Sequence, residues 1–339
     1  MSTVRIGMMG FGQIGRQLYK LALQDERFEV VAISDIGRPE ILQHLLDVTM
    51  GHTGEVQLVD NYLVSATQRT RLMSTHHPIE IPWDMFNVDV VIDATPRFRS
   101  AEELAPHLSN GAKRVFTTAL PEGDIDRVVL YGVNHDQVSA DDRIISAGSA
   151  STTATALALK IIAEKYQIEH ATMTSVHAYT SDQSLQDYAG LDYRRSRSGA
   201  KNIIPNDTPA LYWVQEVMPA LKGKMSGYAL NVPVQTGSML DITVALKTPP
   251  NSVDEFRELF IDAASRFPSL ISTINDPIVS SDVIGDPHSL LVDLLGTMLA
   301  GKSMVKLLGW HESLAHAHRI LDVVACYSDL EPKGMLEAS

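Results

Sequence analysis

Cysteine is nearly absent: Cys326 is the single thiol in 339 residues. That excludes an internal disulfide framework and a multi-cysteine metal site. Basic residues are also short, 28 Lys and Arg against 41 Asp and Glu, for a net charge of −13. Such a balance argues against nonspecific nucleic-acid binding and against a basic membrane surface. A local basic pocket for a phosphorylated ligand remains compatible with it. No apolar run approaches the roughly 18 residues of a membrane span, and no basic-apolar leader pattern opens the chain. A cytoplasmic location is the expectation. No internal repeat, low-complexity tract or long linker is evident. What is present is 45% hydrophobic residues and a length suited to about two domains.

The N-terminal half alternates strand and helix patterns. Val4–Met9 reads as an apolar strand, and Gly10-Phe11-Gly12-Gln13-Ile14-Gly15 follows at once, opening a helix through Leu23. Further strands are expected at Phe28–Ile33, Val88–Ala94, Arg114–Thr117 and Arg143–Ser146. Alternating units of this kind build a parallel, doubly wound Rossmann-type sheet. A glycine fingerprint alone is weak, but this one lies between a strand and a helix, with Asp35 about twenty positions on. The glycines permit a tight turn and close approach of backbone to a pyrophosphate, whose charge the helix N-terminus favours. Asp35 would accept from the adenosine ribose hydroxyls, which favours NAD over NADP. The neighbouring Gly37 and Arg38 could instead serve a 2′-phosphate. The plain alternative is that the glycines only pack helix against strand.

The second half changes character. A helix is expected over Thr152–Lys165, then β-like stretches at Ala171–His177, Ser226–Val234, Met239–Leu246 and Ser303–Leu308. Helical segments near Ala210–Val217 and Val253–Phe267 interrupt them. The expected fold class is α/β: residues 1–149 as the dinucleotide domain, and 150–313 as an α+β domain with an antiparallel-leaning sheet. A C-terminal helix at about 314–330, carrying Cys326 as a buried thiol, is expected to pack back on the first domain. His76, His77, His311, His316 and His318 fit no compact ligand spacing, so they read as loop and surface residues, with no metal site.

Several strings resemble the glyceraldehyde-3-phosphate dehydrogenase family over nearly the whole chain. They are the fingerprint Gly10–Arg16, the segment Tyr131–His135, and Ser175-Val176-His177-Ala178-Tyr179-Thr180. The stretch from Asp182-Gln183 through Arg194-Arg195 to Asn202–Pro205 is similar to the family's S-shaped loop, and Pro277–Asp282 and Met304-Val305-Lys306 complete the set. The resemblance implies NAD bound by Gly10, Gly12, Gln13, Ile14, Gly15, Asp35, Thr95 and Ser313. It implies His177 as the pocket histidine. Thr180, Arg195, Thr208, Ser149, Ser151 and the Asn231 position would serve a phosphate or substrate. It also implies a homo-oligomer, a tetramer in the family, and a small anionic or phosphorylated ligand.

The family's chemistry needs a cysteine thiolate that attacks an aldehyde, and here that position is Ala150. A methyl group is no nucleophile, so phosphorylating oxidation through a thioester cannot run on this sequence. Other family positions depart too. Ala147 and Thr153 stand for asparagines, Asn231 for an arginine, Pro209 for a glycine and Gln13 for an arginine. The nicotinamide turn reads Ala94-Thr95-Pro96-Arg97, and Trp310–His316 replaces a Trp-Tyr-Asp-Asn-Glu-Trp-Gly-Tyr run. Three functions are therefore expected as alternatives. One is a divergent NAD(P)-binding oxidoreductase on a small anionic or phosphorylated aldehyde or alcohol, with His177 as acid–base. Another is a catalytically silent, metabolite-binding scaffold. The third is an ordinary family member whose cysteine is mutated.

Overall fold

Val4-Arg5-Ile6-Gly7-Met8-Met9 buries every residue except Arg5, as a strand flanked on both sides must. In the computed structural model, which describes residues 3–180 and 183–330, this strand, β1 (Val4–Met9), is the middle of a nine-stranded sheet. Its companions are β2 (Phe28–Ser34), β3 (Gln57–Val59), β4 (Tyr62–Val64), β5 (Arg69–Met73), β6 (Val90–Asp93), β7 (Arg114–Thr117), β8 (Arg127–Val128) and β9 (Ile144–Ser146). The spatial order is β3-β4-β5-β2-β1-β6-β7-β9-β8. From β5 to β8 every pairing is parallel, and β3 and β4 add an antiparallel edge. Helices α1 (Gln13–Leu23), α2 (Pro39–Thr49) and α3 (Ala101–Ser109) supply crossovers. The chain runs outward from β1 to β2 in one direction, and β6 pairs on the other flank of β1. That is the topological switch point at which a doubly wound sheet opens a crevice beyond its strand ends.

The chain separates into two compact units, Met1–Gly148 with Ala317–Ser339, and Ser149–His316. The second contains α4 (Ala150–Lys165), α5 (Ala210–Val217), α6 (Val253–Arg266) and seven strands among the described residues. These are β10 (Ile168–Ala178), β11 (Ile204–Asn206), β12 (Met225–Val232), β13 (Ser238–Leu246), β14 (Ile271–Ile274), β15 (Leu290–Ala300) and β16 (Met304–His311), in the order β11-β12-β10-β13-β16-β15-β14. Four of the six pairings are antiparallel, and β10–β12 and β14–β15 are parallel. Strict alternation of buried and half-buried residues along β13 shows why Ser238–Leu246 is a strand with one core face.

A last helix, α7 (Ser313–Asp329), carries Ala317, Ile320, Leu321, Val323, Val324 and Tyr327 into the same core cluster as Ile6, Val30, Ile92 and Phe116. Burying each of the larger of these side chains contributes roughly 1.5–3 kcal/mol. Tyr327 sets its ring edge against Phe116, at 5.5 Å between centroids, and its hydroxyl donates to Asp142 Oδ2 at 2.6 Å. Cys326 on this helix is half-buried rather than buried, and burial pushes its thiol pKa up. No helix among the described residues is long and apolar enough to cross a membrane.

Candidate functional site

On the first unit, the carboxyl ends of β2, β1 and β6 lie side by side. Gly10 leaves β1 at φ +91°, a conformation that favours glycine. A Cβ there would stand 3.0 Å from the Ala94 carbonyl and from Thr95 Cγ2, so the fingerprint turn touches the turn after β6. At Gly15 a Cβ would stand 2.4 Å from the Gly10 carbonyl oxygen, so only glycine lets α1 pack this close to the turn. Gly12 differs: nothing lies within 4 Å of its would-be Cβ. It is the N-cap of α1, with no side-chain cap, and it faces open space where an anion can approach the helix N-terminus.

Asp35 ties the face together. Its Oδ2 accepts from Phe11 N at 2.7 Å and its Oδ1 from Gly37 N at 2.8 Å. Each oxygen keeps a second lone pair for a ribose hydroxyl. The carboxylate also places negative charge where a 2′-phosphate would sit, while Arg38 is exposed at the start of α2. Arg16, just after the fingerprint, donates to Phe11 O and to Thr49 Oγ1. Its pKa is lowered by burial, against the pull of nearby Asp35. Gln13 and Ile14 begin α1. At the end of β6, Asp93 Oδ1 accepts from Thr95 N at 2.9 Å and from Thr95 Oγ1 at 2.6 Å, which fixes that turn. This donor set fits a dinucleotide: glycines that admit its backbone-close pyrophosphate, and a carboxylate held ready for its ribose.

On the second unit, the residues singled out from the sequence fall on two places. The first is the start of α4. Ser149 is its N-cap, and its Oγ accepts from Thr152 N at 3.2 Å and lies 2.6 Å from Thr152 Oγ1. The helix therefore begins at Ala150, two residues earlier than its apolar spacing predicts. Capping commits the Ser149 hydroxyl to the backbone. Ala150 and Ser151 are half-buried in the first turn.

The second place is a row across the sheet. His177 pairs with Asn231 across β10 and β12, Ala178 N donates to Ser238 Oγ, and Ser238 pairs with His311 across β13 and β16. His177 Nδ1 lies 2.6 Å from Ala178 O. A carbonyl only accepts, so Nδ1 carries the hydrogen and Nε2 is the ring position left to exchange a proton. Asn231 is buried, and its Oδ1 accepts from Asn206 Nδ2 in a very short contact. His311 is 3% exposed, and its ring stands 6.1 Å from that of His177, edge-on. Burial first, then the proximity of His177 and His316, pushes the His311 pKa down to about 3.

The remaining predicted residues stand in loops and at helix starts. Thr208 Oγ1 accepts from Ala210 N at the start of α5. Thr180 is exposed, and its N donates to Gln183 Oε1. Arg195 is half-buried in the loop, with its N donating to Asp192 Oδ1. Ser313 opens α7 and donates to Glu312 Oε1. Asp182, part of the expected S-shaped loop, lies outside the described residues. The reading of His311 and His316 as loop or surface histidines is wrong: both are buried. Strand register across β13 and β16 brings His311 to His177, and no spacing in the sequence displays that. Among the described residues no three His, Cys, Asp or Glu side chains gather as a metal site.

A strand, glycine turn and helix with a carboxylate at the next strand end, followed by a mixed-sheet unit, define the class of two-unit, dinucleotide-binding dehydrogenases. The N-terminal part matches the model of the glyceraldehyde 3-phosphate dehydrogenase NAD binding domain over residues 4–101, and residues 149–313 match that of its C-terminal domain. A glyceraldehyde-3-phosphate dehydrogenase of Mycobacterium leprae is 38% identical over 334 residues, covering 95% of this chain and 98% of the relative. Glyceraldehyde-3-phosphate dehydrogenase 2 of Streptomyces avermitilis is 36% identical, with 95% and 97% covered. Glyceraldehyde-3-phosphate dehydrogenase 1 of Bacillus cereus is 34% identical, with the same coverage. The chain belongs to the glyceraldehyde-3-phosphate dehydrogenase family, and its dinucleotide is NAD.

Proposed function

We propose that this protein is a divergent NAD-dependent oxidoreductase that interconverts a small anionic or phosphorylated alcohol and aldehyde without a covalent intermediate. The observation that carries the reading is the His177 Nδ1–H bond to Ala178 O, in a chain with Ala150 where the family has its nucleophile. The bond fixes the ring and leaves Nε2 to take the hydroxyl proton during oxidation and return it during reduction. NAD, when bound, supplies the hydride acceptor. Gly10, Gly12, Gln13, Ile14, Gly15, Asp35, Thr95 and Ser313 are assigned to it. Ser151, Thr180, Arg195 and Thr208 are assigned to the anionic group. With Asn231 closed on Asn206, the Asn231 position offers that group no charge. Ser149, committed as a cap, does not replace the missing thiol.

A homo-oligomer, a tetramer as in the family, is part of this reading. The loop between β10 and β11 leaves Leu185, Tyr188, Leu191 and Tyr193 exposed, an apolar surface that a second copy would cover. A cytoplasmic location accords with the charge and the lack of an apolar span.

Calorimetric titration with NAD, NADH, NADPH and ADP-ribose comes first, followed by NADH-oxidation assays over small phosphorylated aldehydes. We expect NAD to bind more tightly than ADP-ribose. His177→Asn should lower kcat by about 10²–10⁴-fold with little change in NAD affinity. NAD binding with no turnover on any aldehyde or alcohol would replace this reading by the silent metabolite-binding scaffold, which the closed Asn206–Asn231 pair favours.

A further inference from the structure

Beside His177 two asparagines hold each other in one orientation. Asn206 ends β11, and its Nδ2 donates to Ile204 O at 3.2 Å. A carbonyl oxygen only accepts, so the nitrogen of this amide is the branch turned toward Ile204. The same Nδ2 donates its second hydrogen to Asn231 Oδ1 on the neighbouring strand β12. Both Asn206 amide hydrogens are thereby used, and the Asn231 amide is fixed with its oxygen toward β11. Its other branch, Nδ2, carries two hydrogens and donates to no acceptor among the described residues.

Strand register sets this donor beside the proposed acid–base. Asn231 pairs with His177 across the parallel β10–β12 ladder, so the two side chains leave the same face of the sheet. Strands so paired lie about 4.8 Å apart. β11 and β10 flank β12 on opposite sides, and with Oδ1 committed to the β11 side, Nδ2 is left for the side where His177 stands. Asn231 is 7% exposed. A pair of amide hydrogens left open in so buried a residue costs free energy unless a ligand oxygen accepts from it.

We infer that Asn231 is a catalytic residue whose Nδ2–H donates to the reacting oxygen of the substrate, alongside His177 Nε2. This rests on the alcohol–aldehyde reading above. Reduction adds a hydride to the carbonyl carbon, with reduced NAD as its donor. The π pair moves onto oxygen, and His177 Nε2 delivers the proton that completes the hydroxyl. Negative charge grows on that oxygen before the proton arrives, and an amide N–H fixed in advance stabilises it without reorganising. An amide brings no net charge, so this place suits a carbonyl or hydroxyl oxygen rather than the substrate's anionic group.

Reduction of glycolaldehyde phosphate with NADH by the full chain tests the inference. Asn231→Leu removes the donor without adding charge and should lower kcat about 10²–10³-fold, with KM changed by less than about threefold. Asn206→Leu leaves the Asn231 amide in place but free to turn, and should lower kcat about tenfold. It decides the matter where Asn231→Leu does not fold. Calorimetry with 2-phosphoglycolate gives a readout without turnover, because its carboxylate carries charge where the reacting oxygen develops it. In Asn231→Leu its Kd should rise about tenfold, while the NAD Kd stays within about twofold of wild type. A raised KM at unchanged kcat, as a group that only holds substrate would give, or no change in either, would overturn the inference while leaving the oxidoreductase reading intact. Wild-type protein that binds NAD but reduces neither this nor any other small aldehyde would remove that reading, and the inference with it.

Discussion

The polar interiors of the two units are built differently. In the first, buried side chains close on one another: Asp93 bonds to His107 and Thr95, and Asp142 accepts from Arg127, Tyr327 and Ser139 N. In the second, Thr153 Oγ1, Ser175 Oγ and His311 Nε2 are buried with no protein partner. These three stand on the first turn of α4, on β10 and on β16, the elements that carry Ala150, His177 and the row beside it. The first unit keeps closed hydrogen-bond networks at Asp93 and Asp142. The second unit has Ala150 at the start of α4, with hydrogen-bonded Ser149 and Thr152 beside a buried Thr153 hydroxyl that has no hydrogen-bond partner.

The largest test of that contrast is Ala150→Cys. A thiol at the first residue of α4 gains from the helix N-terminus, so iodoacetamide should alkylate it well before the half-buried Cys326. We expect aldehyde oxidation with NAD to recover far less than the roughly 10⁶-fold that an activated nucleophile is worth. Full phosphate-dependent activity in the variant would mean that only the cysteine had been lost. The protein would then be an ordinary family member, mutated at one position.

Two glycines give the next contrast, within the first unit. Gly15→Ala drives a methyl against the Gly10 carbonyl and should cost about 1–3 kcal/mol of stability, together with NAD binding. Gly12→Ala meets nothing in the protein, so unfolding should shift by less than about 0.5 kcal/mol. Its methyl should nonetheless weaken NAD by about tenfold, by holding the pyrophosphate off the helix N-terminus. Equal NAD affinity in Gly12→Ala and wild type would show that the open space at Gly12 is not the anion site.

A further contrast concerns pH. In the unfolded chain His311 takes up a proton as pH falls through the ordinary 6.5, while in the folded chain it does so only near 3. Its contribution to stability is whole above 6.5 and should fall by about 1.4 kcal/mol per pH unit below it. His311→Phe removes that slope. Urea midpoints at pH 7 and pH 5 should therefore move closer together in the variant than in wild type. An unchanged spacing would mean that the buried imidazole is already protonated in the fold.

In the first unit the strands around the fingerprint were legible in the sequence, while α2, α3, β3, β4, β5 and β8 were not; in the second, α4, α5, α6, β10, β12, β13 and β16 were. β1, β2 and β7 follow from apolar runs bounded by turn residues, and the fingerprint places the turn and helix between β1 and β2. β15 did not stand out. Leu290–Asp293 is buried throughout rather than alternating, Asp293 interrupts the apolar run, and the register shifts between Asp293 and Met298. Asp293 is there to accept from Trp310 Nε1 and Gly296 N, a tertiary reason no local pattern shows. The row from Asn231 through His177 to His311 is likewise a product of register between strands far apart in sequence. Residue types named the candidates, and only pairing showed which of them are neighbours.

The path of α7 has a consequence for synthesis. Ala317, Ile320, Val324 and Tyr327 belong to the core of the first unit, yet the ribosome makes them only after the whole second unit. At roughly 5–20 residues per second, that interval lasts about ten to thirty seconds. Until then Phe116, Val129 and Ile145 lack their final covering. The nascent dinucleotide sheet therefore waits, incompletely covered and open to chaperones, for a helix encoded after the whole second unit.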